Sequence, residues 1–333
     1  MSDLLKARII TFFVLAVAME LIVFGALYFY NGVLNETIVS KIGGLADQQV
    51  KQARDNVQQS IDTLEGVSMQ LMLNQTLRRD LEGTQTKSFD GVRMKVAGSE
   101  ISELLTQYKY INKDIINIRL LSKENLDVVL DKPDLLYASQ NSNTVNLFPQ
   151  NMAIMTEMIQ ANGNPYWLPT QKNGFFYPAE MEETKYFPGY SITLARLLKN
   201  AQKPKAEMLM VMEVQAKTLG KALENSKIGQ NSKVWITDGT NKIIYNADKA
   251  QLTKDAPYKV DDPKKSGILL SNDSIRVLTE PLSVPGWHVI VEYSMQEFTD
   301  YLKTVYETLL VVISGVVLLI AVLLAWLMNR SAE

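Results

Sequence analysis

Residues 233–246 read KVWITDGTNKIIYN. Two short runs rich in Val, Ile, Trp and Tyr flank Asp238-Gly239-Thr240-Asn241, residue types that accept the backbone angles of a tight turn. The stretch therefore predicts an antiparallel hairpin, 233–237 with 242–246. Moving outward, the same pattern recurs. GILLS (267–271) and SIRVLTE (274–280) flank Asn272-Asp273, and WHVIVEY (287–293) follows the breaker Pro285-Gly286. Upstream, IINIRLL (115–121) and LDVVL (126–130) flank Ser122-Lys123-Glu124-Asn125, and 191–198 and 206–214 have strand character. Helical periodicity marks 34–81, a stretch around 96–108, 152–159, 216–223 and 295–309. Hairpins dominate, and no strand runs into a glycine-rich phosphate loop. This is an α+β arrangement with antiparallel sheets, not a doubly wound parallel one.

Two apolar stretches bracket these elements. Ile9 to Tyr30 reads IITFFVLAVAMELIVFGALYFY, with Glu20 its one charge, and Leu309 to Met328 reads LLVVISGVVLLIAVLLAWLM with none. Each meets the roughly 20 residues a membrane-crossing helix needs. The first is too long for the apolar part of a cleaved signal peptide and ends in Tyr28-Phe29-Tyr30, so it reads as an uncleaved anchor. Lys6, Arg8 and Arg330 flank the outer ends of the spans, against Lys41 and Lys303 between them. That asymmetry predicts both termini in the cytoplasm and residues 31–305 outside it. Glu20 is costly in a span and is expected to be protonated at a helix–helix contact.

From Leu34 the helical pattern leaves the first span with no proline. Ile38, Ile42, Leu45, Val57, Ile61, Leu64, Val67 and Leu71 form its apolar seam. Such a helix connects the membrane mechanically to what lies beyond, and the seam would serve a homodimer. Composition removes several functions. The chain has 333 residues, no cysteine and a formal net charge of −2. Disulfides, thiolate zinc sites, iron–sulfur clusters and thiol nucleophiles are excluded, and no basic surplus points to nucleic acid. The single histidine, His288, lies in a predicted strand and reads as a packing residue. Asp261-Asp262 reads as a solvated loop. No nucleotide loop or EF-hand occurs, so no cofactor, metal or enzymatic activity is expected.

The layout resembles the double Cache (dCache) sensor region of bacterial transmembrane receptors, most closely sensor histidine kinases of the YesM type, over roughly residues 9–328. The matching pieces are Ile115–Leu121, Trp167 after a helix and breaker, Ser191–Arg196, the 234–245 hairpin and Gly286-Trp287-His288-Val289. The resemblance implies two PAS-like modules on a long stalk helix. Its parts would be a cytoplasmic N-terminus (1–8), a first span (9–30), a stalk (31–83), a membrane-distal module (84–214), a membrane-proximal module (215–298), a connecting helix (299–308), a second span (309–328) and a cytoplasmic end (329–333). It also implies a HAMP linker and an output domain after the second span. The sequence ends at Glu333, so a piece of a longer receptor and a stand-alone interaction subunit that binds a protein partner both stand as expectations.

In dCache sensors the ligand sits in the distal module. Small-molecule pockets are largely aromatic with a few placed polar groups, and an arginine fork suits a carboxylate. The expected ligand-binding residues are Trp167, Arg196, Tyr190, Tyr166, Tyr137 and Arg119. The amino-acid-binding subgroup carries an arginine just before its tryptophan, where this chain has Asn162-Gly163-Asn164-Pro165-Tyr166. The expected partners are a small-molecule or peptide ligand, the lipid bilayer and a second copy of the chain.

Overall fold

The computed structural model describes residues 3–85, 91–122, 128–130, 149–175, 189–200, 207–223, 231–272 and 274–330. A single helix, α1 (Asp3–Leu73), contains both the expected first span and most of the stalk. It runs through Gly43-Gly44 unbroken and stops at Asn74, whose side-chain oxygen accepts the Leu77 amide (2.9 Å) and caps α2 (Gln75–Gln85). α3 (Gly91–Ile111) follows.

Two antiparallel five-stranded sheets then form in turn. The first holds β1 (Ile115–Ser122), β2 (Val128–Leu130), β3 (Tyr166–Lys172), β4 (Tyr190–Leu198) and β5 (Met208–Gln215), with α4 (Pro149–Gln160) between β2 and β3. The second holds β6 (Lys233–Thr237), β7 (Ile243–Asn246), β8 (Gly267–Ser271), β9 (Ile275–Pro281) and β10 (His288–Ser294). The short α5 (Lys217–Lys221) joins the sheets, and α6 (Met295–Arg330) continues without a break from β10. The spatial orders are β2-β1-β5-β4-β3 and β7-β6-β10-β9-β8. Counted within each sheet, both read second, first, fifth, fourth, third. The architecture is thus α+β with one sheet plan used twice.

α1 organises the core. Ala46, Val50, Ala53, Val57, Ile61, Leu64, Val67 and Leu71 recur at three- and four-residue steps, are all buried, and share one apolar cluster with residues of both sheets. This corrects the expected seam at one end. Leu45 is 61% exposed and Ala46 takes its place. From Ala46 to Leu71 the seam is buried in the chain's own fold, so this part presents no free face to a second copy; the side chains of Ile38 and Ile42 lie outside those described.

Among the described residues, one helix is long and apolar enough to cross a membrane; in the qualifying stretch, Lys303–Ile320 of α6, no residue is buried. α1 packs along α6.

Candidate functional site

The strands of the first sheet alternate their side chains between two different environments. Ile118, Leu120, Ile192, Leu194, Met210, Met212 and Val214 face α1. Leu121, Ala195, Leu209 and Val211 face the other way, under Met155 and Met158 of α4. By the same alternation Asn117, Arg119, Ser191, Thr193 and Glu213 project from this second face.

The ladder lines them up. Asn117 of β1 pairs with Glu213 of β5, and Glu213 with Thr193 of β4. All five are buried, Arg119 to 1% and Thr193 to 0% exposure. The Glu213 carboxylate accepts the Phe175 amide (2.8 Å). It leans over Gly174, where φ is +84° and where a Cβ would collide with the carboxylate and press on the Ser191 hydroxyl. Glycine is required there by both the backbone angle and the close approach. Three oxygens in this set, Asn117 Oδ1, Ser191 Oγ and Thr193 Oγ1, are buried with no hydrogen-bond partner among the described residues. Buried polar groups are nearly always bonded, and each one left alone costs about 1–3 kcal/mol. Three beside a buried arginine and a buried glutamate set a row of polar groups on one face, among the apolar residues that pack under α4. Such an arrangement suits a small polar ligand.

The residues expected from the sequence divide between locations. Arg119 lies on the polar face. Tyr166 packs beside the α4 methionines and donates to Glu157 of α4 (2.5 Å); burial first, then this bond, push its hydroxyl pKa up to about 12. Trp167 and Arg196 face α1 instead. The Trp167 indole donates to Glu65 (2.8 Å), and Arg196 donates to Ser68 Oγ (2.8 Å) and to the Gly163 carbonyl (3.0 Å). Tyr190, at the end of β4, packs against the second sheet's cluster around Trp235 and Val277. Tyr137 lies outside the described residues. The sheet therefore does not gather the five described residues into one site.

Asn117, Ser191, Thr193 and Glu213 are absent from the sequence-based set, although the sequence carries a signal for them. Each is a polar residue inside an apolar strand, and Asn117/Arg119 and Ser191/Thr193 are spaced by two, which puts each pair on one face.

An open groove of about 1010 Å³ runs beside β6 and β7 in the second sheet. Two of its polar groups are already engaged, Lys233 with Glu292 (2.9 Å) and Asn246 with the Val234 carbonyl (3.1 Å).

No protein-family model matches the chain, and no curated protein matches it. Solved structures do. The extracellular domain of a protein assigned as a histidine kinase, vpHK1S-Z8, is 12% identical with a TM-score of 0.53, over 79% of this chain and 98% of that one. The ligand-binding domain of Mlp24, solved with asparagine, is 10% identical with a TM-score of 0.50, over 83% and 98%. An extracellular ligand binding receptor from Desulfohalobium retbaense is 11% identical with a TM-score of 0.43, over 72% of this chain; the match spans 39% of that protein's length. The chain has the fold of extracellular ligand-binding sensor domains.

Proposed function

We propose that the chain is the sensing part of a bacterial membrane receptor of the double Cache kind, which binds a small polar molecule or short peptide on the α4-covered face of the first sheet. The observation that carries this reading is the set of three buried, unpartnered oxygens beside Arg119 and Glu213. A ligand supplying donors there would remove their desolvation cost, and α4 would exclude water around it.

The receptor would cross the plasma membrane twice, at 9–30 and 309–328, with both termini cytoplasmic and 31–305 outside. Residues 84–214 would be the ligand-binding module and 215–298 the membrane-proximal one. The parent protein would be a sensor histidine kinase of the YesM type in a two-component system, and these residues would act by binding rather than turnover. Two copies would associate through the face of α1 that the sheets leave open. A ligand that binds one conformation better shifts the balance between two states, and a near-complete shift takes about 5.5 kcal/mol of preference.

The test is thermal unfolding of the full chain in lipid nanodiscs against a panel of amino acids, small carboxylates and short peptides. A saturable rise in melting temperature, lost in folded Thr193→Val and Asn117→Leu variants, is expected. A rise that both variants retain would place the ligand elsewhere and overturn this assignment.

A further inference from the structure

We infer that Arg196 and Trp167 form a mechanical clasp between the two sheets and the membrane helices, Arg196 tying α4 to α1 and Trp167 tying α1 to the strand that continues into α6. The inference takes from the proposed function only that α4 covers the ligand face; the contacts themselves stand apart from it.

The seam of α1 is apolar except at one place, where Glu65 and Ser68 lie beside Leu64 and Val67. Ser68 is fully buried, and its hydroxyl donates to the Glu65 carbonyl (2.7 Å) while accepting from Arg196 Nε (2.8 Å). The other end of the same guanidinium donates to the carbonyl of Gly163 (3.0 Å). Gly163, at φ +90°, belongs to the turn that carries the chain from α4 into β3, and a Cβ there would press on the Lys199 side chain. One arginine on the α1 side of the sheet thus holds the end of the helix that covers the opposite side. Burial lowers its pKa, and the nearby Glu65 carboxylate opposes that. A buried cation is costly to keep unless its donors are used, and here one fork serves two elements.

The second half starts from the same Glu65. Its carboxylate accepts the Trp167 indole (2.8 Å), and the Trp167 ring lies 5.9 Å from that of Trp287, tilted by 58°. Trp287 is buried and immediately precedes β10, and β10 passes at Ser294 straight into α6. Two further contacts brace the junction. Gln58 of α1 accepts the Ser283 amide (2.8 Å), and Thr170 of β3 donates to the Ile244 carbonyl of β7 (2.6 Å). The contacts run without interruption from the α4 turn through Arg196, Ser68, Glu65, Trp167 and Trp287 to α6. A residue in such a chain positions elements rather than touching the ligand.

Hydrogen exchange read by mass spectrometry on the full chain in nanodiscs, with no ligand added, tests this. In Arg196→Met, amides of α4 and its turn (153–165) should exchange about tenfold faster, the loss of one or two charged hydrogen bonds, with 282–294 unchanged. Trp167→Phe should give the complementary pattern, faster exchange at 282–294 and none at α4. Should Arg196→Met fold poorly, Arg196→Lys, which keeps charge and bulk but not the two-ended fork, is expected to give the same local pattern, faster exchange at 153–165 with 282–294 unchanged. Uniform acceleration over both sheets, or no change at either location, would overturn the clasp. Since no ligand is present, neither result depends on whether the polar face binds one.

Discussion

The Thr193 hydroxyl sits in the middle of the polar row with no hydrogen-bond partner among the described residues. Valine has nearly the same shape and no such need. Thr193→Val is therefore expected to leave the unliganded protein as stable or up to about 1–3 kcal/mol more stable by denaturant unfolding, while abolishing the ligand-induced shift. A residue whose removal stabilises the free protein and disables it is the mark of a site rather than of a core. His288 calls for a different measurement. It is buried on the face of the second sheet away from α1, its Nδ1 3.2 Å from the Thr279 hydroxyl. Burial lowers its pKa below the ordinary 6.5, partly opposed by the Pro263 carbonyl and the Asp262 carboxylate. Below pH 6.5 the unfolded chain takes up the proton more readily than the folded one. Its share of stability is thus complete above that pH and is lost as pH falls through the folded value. It is the chain's one histidine, so His288→Gln should flatten the stability profile between pH 7 and 5. At this scale parity was the legible signal. Thr193 and Arg196 are three apart and Tyr166 and Trp167 are adjacent, so in strands each pair must point to opposite faces. Aromatic and arginine content alone grouped Tyr166, Trp167 and Arg196 as one site and passed over Thr193, and that content does not carry direction.

At the scale of elements, α1 is the member on which both sheets rest. Ile61 is fully buried in the cluster that spans them. Ile61→Ala should cost about 2–5 kcal/mol by chemical denaturation and lower both sheets' transitions together. The helix, the two hairpins flanking 122–125 and 238–241, and the strands at 191–198 and 287–293 could all be read from periodicity and turn residues. The details that could not be read have physical causes. β3 contains Pro169 and a register shift between Leu168 and Gln171, and it lies at the sheet edge, where proline is tolerated and the alternating pattern fades. The lower seam of α1 runs through Ala46 rather than Leu45, since Ala46, Val50, Ala53 and Val57 share one helix face and Leu45 lies off it. Asn74 ends the helix by capping the next one, a local choice that the unbroken apolar spacing of 64–77 conceals.

Over the whole molecule, the same strand order appears twice on one helix, yet the polar groups differ: Asn117, Thr193 and Glu213 on the first sheet, Thr237, Thr279 and His288 on the second. The repeat is one of packing, with little shared sequence to betray it. Because the fold buries the seam of α1 from Ala46 to Leu71, the proposed association of two copies would use what remains open. The chain has no cysteine, so a single introduced one is unique. Leu45→Cys, on the exposed side, should form a disulfide-linked dimer in membranes, whereas Ala53→Cys, fully buried, should not. The central claim is that the α4-covered face of the first sheet is where the ligand binds. Its most direct test is an experimental structure of the full chain with the first compound that raises its melting temperature. The account predicts ligand density within hydrogen-bonding distance of Asn117, Ser191 and Thr193, with α4 closed over it. Density on the opposite side of the sheet, against Trp167 and Arg196, or in the groove beside β6 and β7, would contradict it.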